Sequence, residues 1–411
     1  MFVGGKSSPY ALKGRSPRDL KPLRILTLSC VFPNPGEPGH GVFVRARLQS
    51  MCSGAEFVVV APVPLIDYSR RLKPCLRSSI PRERQDGSIR VLHPRWFYLP
   101  GGTSLNSILL FLRLLGPIAK LRNTYQFGWI DAHFAFPDGI AAAILSRWFR
   151  VPFSVTLRGN ETMHAGRSRI IRALMQWALR RAASVITVSN PLKQFAISMG
   201  ADPITTRTIP NGVDDHIFYP RDRTVCRRRL ELPPEARVIV SSGSLIERKG
   251  HHRVLEAIAG LRTRSIDAWL IVAGGIGREG DYSDALLKMS AKLGLENRVR
   301  FVGHLSPERL AEVMSAADLL CLASTREGWP NVVHEAMACG TPVIATDVGG
   351  IPELIPSTRY GTVVPVGDQK KLELALDTAL HQDWDREAIR CLAHSRSWKQ
   401  VADEVLKQFE S

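Results

Sequence analysis

The sequence predicts an α/β protein built from two Rossmann-like domains that face a central cleft. Apolar strand-like runs alternate with helical patterns along the chain, the rhythm of parallel sheets covered on both faces. That alternation halts at a turn-rich segment, Ile209–Asp214, and restarts after Tyr219–Pro220. At 411 residues the chain is long enough for two or three domains, each burying its own core.

The elements are read in order. The first half opens with a strand at Leu23–Ser29, a Pro/Gly loop over Val31–Gly41, a helix at Val42–Met51 and a strand at Glu56–Ala61. Residues 67–100 are rich in Arg, Pro and Ser and read as a long excursion. Helical patterning returns at Ser104–Arg122, then strand Trp129–Phe134, helix Asp138–Phe149, strand Phe153–Leu157, helix Ser168–Ala183 and strand Ser184–Ser189. The second half repeats the scheme: strands near Val238–Ser242, Ala268–Ala273, Arg298–Val302, Leu319–Leu322 and Pro342–Ala345, with helices between them. A polar link then leads to a last helix, Trp398–Phe409. The expected organisation is a basic, disordered extension at 1–20, a first Rossmann-like domain at 21–218, a second at 219–390, and a helix at 391–411 crossing back to the first domain.

Composition narrows the class. Hydrophobic residues make up 45% and charged residues 23%, as in an ordinary globular protein. The seven cysteines form no C-x-x-C pair, which argues for a reducing, cytoplasmic setting rather than a disulfide framework or structural zinc. The basic N-terminus lacks the apolar stretch of a signal peptide. Charge is one-sided: residues 1–220 hold 29 Lys and Arg against 12 Asp and Glu, whereas 221–411 hold 26 of each. A basic half points to an anionic partner, here the inner face of a membrane. Ser104–Arg122 and Arg167–Arg181 are candidate basic amphipathic stretches for such docking. Nucleic acid is not expected, because basic residues are not interleaved with aromatics and no reading motif is present.

In doubly wound sheets, ligands bind where loops and helix N-termini meet the carboxyl ends of the strands. The stretch Ser324–Gly350, STREGWPNVVHEAMACGTPVIATDVGG, has that form. It supplies Glu327, a Gly–Trp–Pro loop, Asn331, and a helix carrying Glu335. Free amides near Asn331–Val332, with the positive end of the helix dipole, suit a diphosphate. The two carboxylates suit sugar and ribose hydroxyls. His133, ending a strand beside the expected crevice, is a further candidate. No ligand set for magnesium or zinc converges in sequence, so metal-independent chemistry without a cofactor is expected. Asp214–Asp215 reads as a turn pair, His251–His252 as a surface pair, and Gly274–Gly275 as a tight turn without the helix that a dinucleotide fingerprint requires.

The Glu327–Glu335 spacing, with Gly328, Pro330, Asn331, Cys339, Gly340, Gly349, Gly350 and Glu353 around it, resembles the E-x(7)-E signature of retaining glycosyltransferase family 4, which has the GT-B fold. Gly243–Ile258 resembles that family's second-domain strand-loop-helix, with Lys249 at its phosphate-binding lysine. Arg298–Leu305, including Gly303, and Ala316–Ser324 are similar to the strands around its nucleotide pocket. Ile209–Asp214 resembles its interdomain hinge. In the first half, Pro38–Met51, Ala132–Leu145 and Val151–Glu161 look like the subgroup of teichuronic-acid-type polymer transferases. Two positions depart from the common pattern. Ser244 stands where the family often has Arg or Asn, with Arg248 the candidate replacement, and Arg158 stands where many relatives carry a histidine.

The resemblance implies catalytic roles for Lys249, Glu327 and Arg158, and His133 joins them as a catalytic candidate from its place at the end of a strand. Donor contacts are implied at Gly41, Ser244, Arg248, Lys249, Gly303, Glu327, Gly328, Pro330, Asn331, Val332 and Glu335. It implies a nucleotide-sugar substrate, UDP-linked by default, and a lipid-linked or polymeric glycan acceptor. A nucleotide-sugar epimerase of the same architecture is the alternative reading, since fold alone does not assign a reaction.

Overall fold

The computed structural model describes residues 23–67, 75–76, 80–101, 103–277 and 279–410. The N-terminal extension expected at 1–20 lies outside the described residues. Two sheets form the frame. The first has eight strands, ordered Thr206–Thr208, Ser184–Thr187, Phe153–Leu157, Trp129–His133, Leu23–Leu28, Ala55–Val60, Ile89–Leu92 and Glu83–Asp86. All neighbours are parallel except the last pair, an antiparallel hairpin on the edge. The second has six parallel strands, ordered Val299–Gly303, Ala268–Ala273, Arg237–Ser242, Leu319–Leu322, Val343–Thr346 and Gly361–Val364.

Strands covered on both faces are buried from end to end and mostly apolar. Every residue of Phe153–Leu157 and of Leu319–Leu322 is buried. The edge hairpin Glu83–Asp86 alternates exposed and half-exposed residues, so it carries no apolar run and merges with the loop in a sequence reading. The supposed polar link after the second sheet contains two helices, Gln369–His381 and Arg386–His394. Each buries a narrow stripe: Leu372, Leu376 and Ala379 in one, Ile389 and Ala393 in the other. Ile389 and Ala393 sit in the second domain's core, so the returning segment starts beyond the expected residue 391. The helix that crosses back is Trp398–Glu410. Its Val401, Ala402, Val405 and Phe409 join Ile25, Val44 and Leu48 in a first-domain core, and Phe409 lies 5.4 Å from the Trp129 ring.

The topology places two switch points opposite each other. In the first sheet the chain runs outward from Leu23–Leu28, then returns to its other side at Trp129–His133. In the second it runs outward from Arg237–Ser242 and returns at Leu319–Leu322. Loops leaving the carboxyl ends of these four strands, and of neighbouring Phe153–Leu157, are what a ligand meets.

Candidate active site

A cleft of roughly 350 Å³ lies between the sheets. The first domain lines it with Phe43, Phe134, Arg158, Gly159, Asn160, Val188 and Asn211. The second contributes Gly243, Ser244, Arg248, Lys249 and the continuous run Arg326–Val332. Nine expected site residues thus meet in one place: Arg158, Ser244, Arg248, Lys249, Glu327, Gly328, Pro330, Asn331 and Val332.

Lys249 ends a short 3-10 turn after Arg237–Ser242. Its Nζ donates to Glu327 Oε1 at 2.7 Å. Arg248 makes a two-point contact with Glu279, Nε to Oε2 at 3.0 Å and Nη2 to Oε1 at 2.7 Å. Its Nη1 donates to the Arg326 carbonyl at 2.7 Å and stands 3.9 Å from Glu327 Oε2. Burial works against the Arg248 charge, but the Glu279 hydrogen bond and the fields of Glu327 and Glu279 outweigh it and raise its pKa. Ser244 lines the cleft together with Arg248, four residues further on.

The helix Asn331–Ala338 starts at Pro330, which supplies no side-chain cap. Its first amides are therefore left for the cleft. Glu335 lies one turn inside this helix. It is half-buried and is not among the residues lining the cleft; no side-chain hydrogen bond holds it among the described residues. Burial alone pushes its carboxyl up to about 7 from an ordinary 4.5. The unfolded chain loses this proton first as pH rises, so Glu335 costs stability from about pH 4.5 upward and reaches its full cost near pH 7. We expect Glu335→Gln to match wild type in Tm at pH 4 and to exceed it by a few degrees at pH 8, from about 1–2 kcal/mol once partial exposure is allowed for. Melts of both proteins across that range check this, and a difference independent of pH would contradict it.

Arg158 occupies the opposite wall. Its guanidinium lies 4.7 Å from the Phe43 ring centre and donates to His133 and Asn211. Its loop is fastened by Glu161, whose carboxylate accepts from the amides of Arg158 at 3.1 Å and Gly159 at 2.7 Å. Where the two walls touch there is no room for side chains. A Cβ on Gly159 would lie 2.8 Å from Gly328 Cα, and one on Gly328 would lie 1.9 Å from the Arg158 carbonyl oxygen. Two further bridges cross the gap. Asn211 Nδ2 donates to Asn331 Oδ1 at 2.9 Å, and Asn190 donates from its amide and side chain to Glu353 at 2.7 and 3.1 Å.

Besides Glu335, three other expected contacts do not line the cleft. His133 has no exposed surface and sits behind Arg158, although the next residue, Phe134, lines the cleft. Gly41 shapes the entry to the Val42–Met51 helix: its φ is 80°, and a Cβ would lie 2.3 Å from the Val31 carbonyl. Gly303 also has positive φ, at 70°, with open space beside it, and does not line the cleft. His251, read as a surface residue, is buried and bonds through Nδ1 to Ser241 Oγ at 2.8 Å. Among the described residues, Asn211, Asn160 and Arg326 line the cleft without having been singled out in sequence. Asn211 lies within the hinge segment, which was its available signal. Among the described residues, no group of three or more His, Cys, Asp or Glu side chains could hold a metal ion, and no helix is long and apolar enough to cross a membrane.

Both halves of the chain match known protein families. Residues 222–395 match the model for glycosyl transferases group 1, and residues 53–216 match that for Glycosyltransferase Family 4. Over 401 residues the chain is 28% identical to TuaC of Bacillus subtilis, named as a teichuronic acid biosynthesis glycosyltransferase, covering 95% of this chain and 94% of that protein. Among solved structures, sucrose-phosphate synthase of Thermosynechococcus elongatus superposes with a TM-score of 0.78 at 21% identity, covering 94% of this chain and 98% of that one. Anabaena HepE, solved with UDP and glucose, gives 0.72 at 22% identity, covering 95% and 100%. Matched across both halves and folded as two facing Rossmann-like domains, the chain belongs to the family 4, group 1 glycosyltransferases of the GT-B fold.

Proposed function

We propose that the enzyme moves a sugar from a nucleoside diphosphate sugar, UDP-linked by default, to a glycan acceptor in cell-surface polysaccharide synthesis, with retention at the anomeric carbon and without a metal. One observation carries the reading: Lys249 and Arg248 stand beside the uncapped Asn331 helix end, with Arg158 on the facing wall. Together they give an oxyanion cationic partners from both domains. HepE holds UDP and glucose in the same fold, and TuaC is named for polymer synthesis, which supports the donor and acceptor classes.

In this reading Lys249 and the Asn331–Val332 amides stabilise charge as it grows on the leaving diphosphate, a large term in a preorganised site. Glu327 holds Lys249 in place and accepts hydrogen bonds from donor sugar hydroxyls. Ribose hydroxyls would supply the donors that Glu335 lacks. The acceptor hydroxyl oxygen forms the new bond to the anomeric carbon, the bond from that carbon to the phosphate oxygen breaks, and the acceptor proton passes to the departing phosphate. The test is incubation with a panel of labelled sugar nucleotides in excess chelator, with product anomers assigned by proton NMR. Retained configuration and undiminished turnover are expected. Inverted product, or activity lost to chelator and restored by magnesium or manganese, would contradict the mechanism.

The acceptor reading is a lipid-linked or polymeric glycan met at an anionic membrane face. Of the two basic stretches, the helix Arg169–Leu179 turns Ile171, Met175, Ala178 and Leu179 into the core, so most of its apolar face is used in packing. The helix Leu105–Thr124 keeps a second apolar stripe outside: Leu105, Ile108 and Leu112 are exposed, at spacings of three and four. Trp148 lies beside it, 63% exposed, between exposed Arg147 and Arg150. Apolar burial plus about 1 kcal/mol per basic residue suffices for reversible docking. Co-sedimentation with anionic vesicles at low salt, lost at high salt and reduced in Leu112→Glu, is expected. Equal recovery in the supernatant with neutral and anionic vesicles would replace the membrane with a soluble acceptor.

A further inference from the structure

Behind the Arg158 wall runs a chain of buried polar groups that the transfer steps above leave unused. It begins at Arg47, on the helix Val42–Met51. Arg47 pairs with Asp131 and donates from Nη1 to Thr156 Oγ1 at 2.8 Å. Asp131 Oδ1 accepts from Ser154 Oγ at 2.8 Å, and its Oδ2 lies 3.2 Å from His133 Nε2. His133 Nδ1 faces Arg158, 3.1 Å from Nε and 2.9 Å from Nη2. Arg158 Nη1 donates to Asn211 Oδ1 at 3.0 Å, and Asn211 in turn donates across the domain gap to Asn331.

The donors and acceptors along this chain admit one arrangement. Asp131 is held ionised: burial opposes its charge, but Arg47 and the His133 and Ser154 bonds outweigh that and lower its pKa. An ionised carboxylate only accepts, so His133 must give it the Nε2 proton. The Nδ1 lone pair then remains as the acceptor for Arg158. Burial and the Arg47 charge keep the imidazole neutral, with its pKa pushed down to about 3. A protonated ring would present a second donor and a positive charge to the guanidinium.

Arg158 is held by His133 and Asn211 but not at every donor. Of its five N–H groups, one on each terminal nitrogen has no partner among the described residues. An arginine serving packing alone would be expected to be satisfied throughout. Here the guanidinium is stacked on Phe43, gripped by His133, and lines the cleft with two N–H groups to spare.

We propose that Asp131 and His133 form a positioning dyad that aims the Arg158 guanidinium at the donor diphosphate, and that Asn211 completes this alignment only when the two domains close. His133 then acts through Arg158 and transfers no proton. The proposal rests on the donor reading given above.

Two substitutions separate it from a packing role. In His133→Gln the amide oxygen can accept from Arg158 while its nitrogen donates to Asp131; His133→Leu does neither. With the best sugar nucleotide, His133→Leu is expected to lower kcat about 10–100-fold with donor KM within about threefold. His133→Gln is expected to stay within about fivefold of wild type and to keep its pH profile. Should His133→Leu fail to fold, Asn211→Ala carries the test, with an expected loss in kcat of about tenfold. Wild-type kcat in folded His133→Leu, equal losses in both His133 variants, or loss of a pH limb in His133→Gln would each overturn the dyad. After a folding failure of His133→Leu, wild-type kcat in Asn211→Ala would overturn it too. Calorimetric binding of UDP to wild type is measured alongside. If wild type neither binds UDP nor turns over any sugar nucleotide, the donor reading fails instead.

Discussion

Lys249→Ala should lower kcat/KM by about 10²–10³-fold, some 3–4 kcal/mol of transition-state stabilisation, while circular dichroism remains that of wild type. The lysine is the cleft cation with the shortest contact to Glu327, at 2.7 Å, and it stands where charge would develop on a departing diphosphate. Folding should survive because Arg248 remains 3.9 Å from the same carboxylate, so Glu327 is not left without a counter-charge. Glu327→Ala should cost a similar factor for a different reason: it frees Lys249 from its fixed position and removes an acceptor for sugar hydroxyls. The two residues act as a unit, so the double variant should lose little more than either single one. Near-normal turnover in a folded single variant would remove that residue from the mechanism.

Gly328→Ala should be as damaging without touching any charged group. Its Cβ would stand 1.9 Å from the Arg158 carbonyl oxygen, so the two walls could not meet as they do here. None of the hydrophobic core clusters includes this contact, so each domain should keep its fold. Closure is what brings Arg158 and the Asn211–Asn331 bridge against the Lys249 side of the cleft. A displacement of about 1 Å at a reacting centre costs on the order of 10²-fold in rate. Small-angle scattering should show an expanded particle, and kcat should fall by at least that factor. A compact particle with wild-type kcat would mean that the contact is incidental.

Much of this site was legible because its local pattern is strong. The run Ser324–Gly350 combines a buried apolar strand, a Gly-rich loop and a helix start, and the structure puts Glu327 to Val332 in the cleft. Phe153–Leu157, Ala268–Ala273 and Leu319–Leu322 stood out as strands because central parallel strands are mostly apolar, Ser154 and Thr156 being the exceptions. The edge hairpin Glu83–Leu92 and the helix Gln369–His381 did not, since each buries only a narrow face. The relay behind Arg158 was the least legible part. Its members, Arg47, Asp131, His133 and Asn211, are scattered along the sequence and become neighbours only when the strands are laid side by side. A charged residue inside an apolar strand, as Asp131 is, was the one local sign of it.

The central claim is that the closed cleft seats a nucleoside diphosphate between Lys249 and the Asn331 helix end. The most direct test is a crystal structure of the protein grown with UDP in the presence of chelator. The account expects the diphosphate within hydrogen-bond distance of Lys249 Nζ and of the Asn331 or Val332 amide, and the ribose at Glu335. UDP bound elsewhere, or seated in the cleft with its phosphates away from both Lys249 and the helix end, would contradict it.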